Sequence, residues 1–252
     1  MVDLKLSAKY KEFLKYETDV EFLEGTTAAG KTTVGAVKFL FRVAGSDRKL
    51  HIISGLDLGT IEKNIIQAEL GIVDIFGDLV SYHSKGNKDH SLPHLRYQTS
   101  KGEKIIYVLG YDNKARWKKV LGGQYGCLYI DEINIADMEY VREIFMRADY
   151  VMATLNPDDP ELPIYHEYIN HSRPLDKFKN DAPKEINDQL NASPKKGWVH
   201  WFFGFNHNDG LTQAKKEKII SAVPVGTKLY KNKILGVRGR AEGLIFSNFE
   251  YR

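Results

Sequence analysis

Apolar residues in this chain gather in short dense runs, with segments of helical spacing between them. The runs 19–24, 50–54, 104–109, 127–130 and 150–155 have strand length and no helical period. Segments 79–84 and 95–99 alternate as shorter strands. Between the runs, 33–43 carries Val34, Val37, Phe39, Leu40 and Val43 on a helical face. Segment 58–70 does the same with Ile61, Ile65, Ile66 and Leu70, and 138–146 reads as a further helix. Alternation of this kind predicts an α/β fold, with a mostly parallel sheet and helices on both faces.

The pattern weakens past residue 171. Segment 172–196 is poor in large apolar side chains and holds Pro174, Pro183 and Pro194, which predicts an irregular excursion. The dense aromatic run 198–205 reads as a strand whose rings suit sheet packing better than base stacking. Segment 212–223 reads as an amphipathic helix capped by Thr212, and 228–235 as another. The expected division is a core over 1–205 and a small helical extension over 206–252.

With 252 residues, 42% of them hydrophobic, the chain can bury a sizeable core. No apolar run approaches the roughly 18 residues of a membrane helix. Lys5, Lys9, Lys11 and Lys15 interrupt any signal-peptide pattern. Cys127, the single cysteine, excludes an internal disulfide, fits a reducing compartment and reads as a core thiol. Net charge is only +3, but it is unevenly spread. Segments 101–119 and 195–240 are rich in Lys and Arg, whereas 131–161 is acidic. Basic segments set against an acidic middle predict a polyanion-facing surface.

The chemistry begins at Gly25-Thr26-Thr27-Ala28-Ala29-Gly30-Lys31-Thr32, which fits G-x-x-x-x-G-K-[ST]. A strand precedes it and a helix follows, the context in which backbone N–H groups curl around phosphate oxygens. Residues Gly25 to Thr33 are the candidate nucleotide site, with Lys31 directed at the β- and γ-phosphates and the Thr32 hydroxyl at Mg²⁺. The Lys9 to Tyr16 region, just upstream, is the candidate for the adenine base. A second centre closes the apolar run 127–130 with Asp131 and Glu132. Ligands of open α/β sheets collect at the carboxyl ends of strands. Asp131 is therefore the candidate metal holder and Glu132 the candidate base that polarises water. The strand 150–155 ends in polar groups before Pro157, so Thr154 and Asn156 are candidates to sense the γ-phosphate.

Taken in order, GTTAAGKT, CLYIDE and ATLNP make the chain resemble the ATPase domain of the large terminase of tailed bacteriophages. Segments 54–58, 118–123 and 240–246 (RAEGLIF) resemble further stretches of that family. The resemblance implies a RecA-like P-loop NTPase of the class with an added catalytic glutamate, using ATP and Mg²⁺. It implies a motor that drives double-stranded DNA into a procapsid, gripped without sequence readout. Portal protein and small terminase subunit are the implied partners, a homo-oligomeric ring the implied assembly, and the host-cell cytoplasm the implied location, with no membrane. The family's nuclease would begin where this sequence stops, so cutting is not expected of these residues.

One departure matters. Many relatives carry an arginine inside the loop, where this chain has Thr26, Thr27, Ala28 and Ala29. Candidates for an arginine finger, in cis or from a neighbouring subunit, are Arg48, Arg116, Arg142 and Arg147. The candidate DNA-contact zone is Lys215, Lys216, Lys228, Lys231 and Lys233.

Other classes fit less well. A helicase or recombinase-like ATPase shares the loop and the acids, but a two-domain helicase needs a second such half. Guanine reading by N-K-x-D fails at Asn113-Lys114-Ala115-Arg116, which ends in Arg. A nucleotide kinase lacks an Arg-rich lid, and a non-hydrolysing scaffold has no use for both Asp131 and Glu132.

Overall fold

In the computed structural model, which describes residues 4–240, helix α1 (Ala8–Lys15) leads into strand β1 (Val20–Gly25). Helix α2 (Lys31–Gly45), β2 (Leu50–Gly55), α3 (Leu58–Ile61) and α4 (Ile72–Phe76) follow. Three strands come next: β3 (Val80–His83), β4 (His94–Thr99) and β5 (Gly102–Gly110). Then α5 (Lys114–Trp117), β6 (Tyr125–Ile130), α6 (Met138–Phe145) and β7 (Ala148–Leu155) alternate. The described chain finishes with α7 (Pro163–Glu167), α8 (Lys184–Gln189), β8 (Trp198–Phe203) and α9 (Gln213–Ser221).

These strands form one eight-stranded sheet in the order β3-β4-β5-β2-β6-β7-β1-β8. All pairings from β5 to β8 are parallel, and β3 and β4 add an antiparallel edge. Strand β7 is inserted between β1 and β6, with Leu23 beside Thr154 and Ile130 beside Ala153. The carboxyl ends of β1, β7 and β6 are therefore neighbours within the sheet.

Both faces of the central strands are covered, which is why they read as continuous apolar runs. Cys127, Tyr129, Met152 and Trp201 pack on one side with Phe13, Phe39 and Leu40. Leu128, Ile130, Val151 and Phe22 pack on the other with Tyr140, Val141 and Ile144. The aromatic run 198–203 is core, with Tyr10 and Phe203 stacked at 4.1 Å. Cys127 is buried, and burial pushes its thiol up to about 12, so it is inert.

Four segments differ from expectation. The helix read over 58–70 is shorter: Asp57 caps α3 through the Thr60 N–H at 2.8 Å, a π-turn (Glu62–Ile66) follows, and Leu70 turns to φ 62°. The wider π-turn still buries Ile65 and Ile66. Segment 172–196 is tied down by local hydrogen bonds from Arg173 to the carbonyls of Asn170 (2.9 Å) and Ser172 (2.7 Å), and it contains α8. Helix α9 has the expected Thr212 cap but buries none of its residues. Segment 228–235 folds as a π-turn (Tyr230–Ile234) rather than an α-helix. Residues 241–246 of the stretch that begins at Arg240 lie outside the described residues. Among the described residues, no helix is long and apolar enough to cross a membrane.

Two carboxylates are buried inside β1. Glu21 meets Lys38 at 2.6 Å, the Tyr150 hydroxyl at 2.6 Å and the Trp201 indole at 2.9 Å. Glu24 meets Arg238 at 2.8 Å and His200 at 2.8 Å, with no exposed surface on any of the three side chains. Burial raises the Glu24 carboxyl, but the Arg238 guanidinium, helped by His200, outweighs this and holds it at about 2.

Candidate active site

Strand β1 ends at Gly25, where a side chain has no room. An added Cβ would stand 1.8 Å from the Phe203 carbonyl oxygen, at a φ of 156°. We expect Gly25→Ala to cost about 1–3 kcal/mol, read from the urea midpoint. The chain then turns through left-handed Ala28 (φ 51°) and Gly30 (φ 88°) into α2. Four contacts clamp the loop from behind. The Thr26 N–H donates to Phe203 O at 3.0 Å and the Thr27 N–H to Lys233 O at 2.9 Å. Asn208 Nδ2 donates to Ala28 O at 2.7 Å, and Tyr10 Oη to Ala29 O at 2.7 Å. The first N–H groups of α2 have no partner within the helix and border a cavity of about 370 Å³.

That cavity is lined by residues 27–33 of the loop, by Asp131 and Glu132 after β6, and by Thr154, Leu155 and Asn156 at the end of β7. Residues from three strand ends thus meet at one place. Gly25 and Thr26 do not line it: Gly25 is the pivot, and Thr26 spends its N–H on β8. In the upstream region offered for the base, Lys9 and Tyr10 buttress the structure instead. Lys9 donates to Phe202 O at 2.5 Å and pairs with Asp181 at 2.7 Å.

Lys31 is buried, and its ammonium is folded back on the loop. It donates to Thr26 O at 2.6 Å, Gly25 O at 3.1 Å and Asn156 Oδ1 at 3.1 Å. Burial lowers it to about 8, against the opposing pull of Asp131, Glu24 and Glu132, while Lys233 adds to the lowering.

Asp131 Oδ1 accepts three hydroxyls: Thr154 at 2.5 Å, Tyr129 at 3.1 Å and Thr32 at 3.3 Å. Burial raises its carboxyl despite these donors. Glu132 sits in the left-handed region (φ 51°, ψ 49°), an uncommon place for a side chain of its size. The Tyr111 hydroxyl holds this turn through the carbonyls of Asp131 (3.3 Å) and Glu132 (3.2 Å). The Glu132 N–H reaches Thr154 Oγ1 at 3.4 Å. The Glu132 carboxyl is raised, first by burial and then by the neighbouring Asp131 charge.

The donor set fits Mg²⁺. Thr32 Oγ1 and the Asp131 carboxylate are hard oxygens 3.3 Å apart. Among the described residues, no group of three or more His, Cys, Asp or Glu could hold a metal by itself. Mg²⁺ is commonly held by one or two protein oxygens together with water and phosphate.

Tyr111 and Tyr129, together with Lys63 and Asn64 of the first π-turn, were not among the sequence candidates. Tyr129 was within reach, since 127, 129 and 131 share one face of a strand. Lys63 gave no signal, because the turn that brings it to the cavity breaks the helical period.

The arginine candidates do not line the cavity. Arg48 pairs with Asp149 at 2.9 Å and Arg147 with Glu143 at 3.1 Å, near the amino ends of β2 and β7, the opposite end of the sheet. Arg142 pairs with Glu167 at 2.8 Å, and Arg116 is exposed on α5. A finger in cis from these four is therefore not what the fold provides. The lysine zone also divides. Lys215 and Lys216 lie on the unburied α9, with Lys216 reaching Asn206 at 3.1 Å. Lys228 is taken by Asp158 at 2.6 Å, Lys231 is half-buried, and Lys233 borders Glu132.

Residues 22–251 match the family model described as terminase large subunit, T4likevirus-type, N-terminal. No curated protein matches the sequence. Among solved structures, the large terminase of a thermophilic bacteriophage superposes with a TM-score of 0.72 at 19% identity, over 98% of this chain. This chain spans 57% of that terminase, which has also been solved with ADP. The ATPase domain of the large terminase of Thermus phage P74-26 gives a TM-score of 0.55 at 9% identity, over 88% of this chain and 95% of that one. The Phi-28 gp11 DNA packaging motor gives 0.50 at 13% identity, over 92% of this chain and 70% of that one. At such identities the superpositions speak for the fold, and the family match over nearly the whole sequence speaks for descent: the chain belongs to the terminase large subunit family, in its T4likevirus-type N-terminal region.

Proposed function

We propose that this domain hydrolyses ATP to drive double-stranded DNA into a viral procapsid. The observation that carries the reading is the convergence of Lys31, Thr32, Asp131, Glu132, Thr154 and Asn156 on one cavity at three strand ends. Phosphates would lie on the amides that open α2, and Lys31 would exchange its loop carbonyls for phosphate oxygens. Thr32 and Asp131 would hold Mg²⁺, which supplies charge neutralisation to the phosphates when bound. Glu132 orients the attacking water. The water oxygen bonds to the γ-phosphorus, the bond to the β–γ bridging oxygen breaks, ADP leaves with the electron pair, and Glu132 takes the water's proton. The raised carboxyl of Glu132 supports that role. Asn156, already on Lys31, and Thr154, already on Asp131, would register loss of the γ-phosphate.

The exposed lysines of α9 are the proposed DNA contact, through phosphates alone. Ring assembly on a portal, a small terminase subunit as partner and the host cytoplasm as location follow from the family reading. The test is ATP hydrolysis with and without double-stranded DNA at rising salt. We expect stimulation by DNA that fades as salt rises. Hydrolysis indifferent to DNA at every salt concentration would remove the packaging role.

A further inference from the structure

The π-turn that carries Lys233 is fastened to the loop, not to the surface. Lys233 O accepts the Thr27 N–H at 2.9 Å. A few residues on, Arg238 closes on Glu24 at 2.8 Å, beneath the same loop. Lys233 borders a second cavity, of about 490 Å³, which shares Glu132 and Asn156 with the first. Asp158, the other carboxylate on that cavity, is already paired with Lys228 at 2.6 Å. Asn156, which joins Glu132 on that cavity, accepts from the Lys31 ammonium at 3.1 Å. Asn232, next to Lys233 in the chain, is buried and borders the same cavity, with an Oδ1 that has no donor.

We propose that Lys233 is a catalytic cation acting in cis, its ammonium facing the terminal phosphoryl group between Lys31 and Glu132. The inference rests on the ATP-hydrolysis reading. It fills a chemical gap, because the loop interior from Thr26 to Ala29 carries no cation and the four candidate arginines line neither the first cavity nor the adjoining one, on which Lys233 sits beside Glu132 and Asn156. As the bond to the β–γ bridging oxygen breaks, charge redistributes over the phosphoryl and bridging oxygens. A cation already in place stabilises that change more than it stabilises bound ATP. Lys63 also borders the first cavity, but it is exposed and its short turn has no backbone bond to the loop. Lys233 is half-buried and held by one.

The test compares wild type, Lys233→Met, Lys233→Arg and Lys184→Ala. For each, kcat and KM for ATP are measured, with melting temperature and the affinity for a fluorescent ATP analogue. We expect Lys233→Met to lower kcat about 100-fold while KM and analogue affinity stay within about threefold. Lys233→Arg should recover most of the rate, and Lys184→Ala, altered at an exposed position of α8, should match wild type. If Lys233→Met does not fold, Lys233→Gln takes its place in the same measurement. A neutral variant with wild-type kcat, or one that raises KM alone, overturns the inference and leaves the ATPase reading standing. A wild-type protein that hydrolyses no ATP, with or without DNA, overturns both.

Discussion

Replacing Glu132 by glutamine is expected to slow ATP turnover by about 10²–10⁴-fold while leaving ATP binding nearly intact. The geometry separates the two. In the proposed mechanism phosphate binding falls to the amides of the loop and to Lys31, and the Glu132 side chain acts on Lys31 only as a nearby charge. Glutamine keeps the shape and the left-handed backbone at φ 51°, so the loop, Asp131 and Thr154 stay in place. It cannot accept the water's proton. Single-turnover hydrolysis and equilibrium binding of a fluorescent ATP analogue, measured on the same sample, check the split. A variant that turns over at the wild-type rate takes Glu132 out of the mechanism. One that no longer binds ATP makes it a ligand instead.

Arg238→Ala is expected to destabilise the fold by about 3–5 kcal/mol, the cost of leaving a buried carboxylate without its partner. Glu24 has no exposed surface and keeps only His200 at 2.8 Å and the Tyr165 hydroxyl at 3.4 Å once the guanidinium is gone. The pH dependence gives an independent check. Glu24 is held at about 2 in the fold against an ordinary value of 4.5. A depressed carboxyl lends stability that is present above its unfolded pKa and is lost as pH falls through its folded pKa. The gap in urea stability between wild type and Arg238→Ala should therefore be larger at pH 7 than near pH 2: the unfolded value is common to both, so the gap closes between the folded value in the variant, which burial raises once the guanidinium is gone, and about 2 in wild type. A gap that holds constant through that window would mean the variant acts through lost packing alone.

Much of this architecture was legible because the central strands are buried on both sides. That condition forces apolar runs, which were plain at β6 and β7 and interrupted in β1 only by Glu21 and Glu24. The loop and the Asp131-Glu132 pair were also plain, since each depends on residues adjacent in sequence. Three things depended on distance instead. The insertion of β7 between β1 and β6 is a matter of crossover paths, which local periodicity does not encode. The partner of Glu24 lies 214 residues away, and nothing near Arg238 marks it as a buried ion rather than a surface one. Lys233 reads as one more member of a basic stretch. A π-turn shifts side-chain directions from those of an α-helix, and that turn places it on the cavity it shares with Glu132 and Asn156. Glu21 and Glu24 gave no warning either: a carboxylate in a strand reads as solvent-facing until its partners are known.

The folded-back ammonium of Lys31 has a consequence for selectivity. Three oxygens already satisfy it at rest, so a visiting anion gains little merely by offering one more. Free sulfate or inorganic phosphate must displace those contacts with few of its own to give in return. On the proposed ATPase reading, a triphosphate arriving with its metal would engage the helix-start amides, Thr32 and Asp131 together, and so draw the side chain across. The resting site is in that sense self-quenched, and it admits the guest that can meet several demands at once.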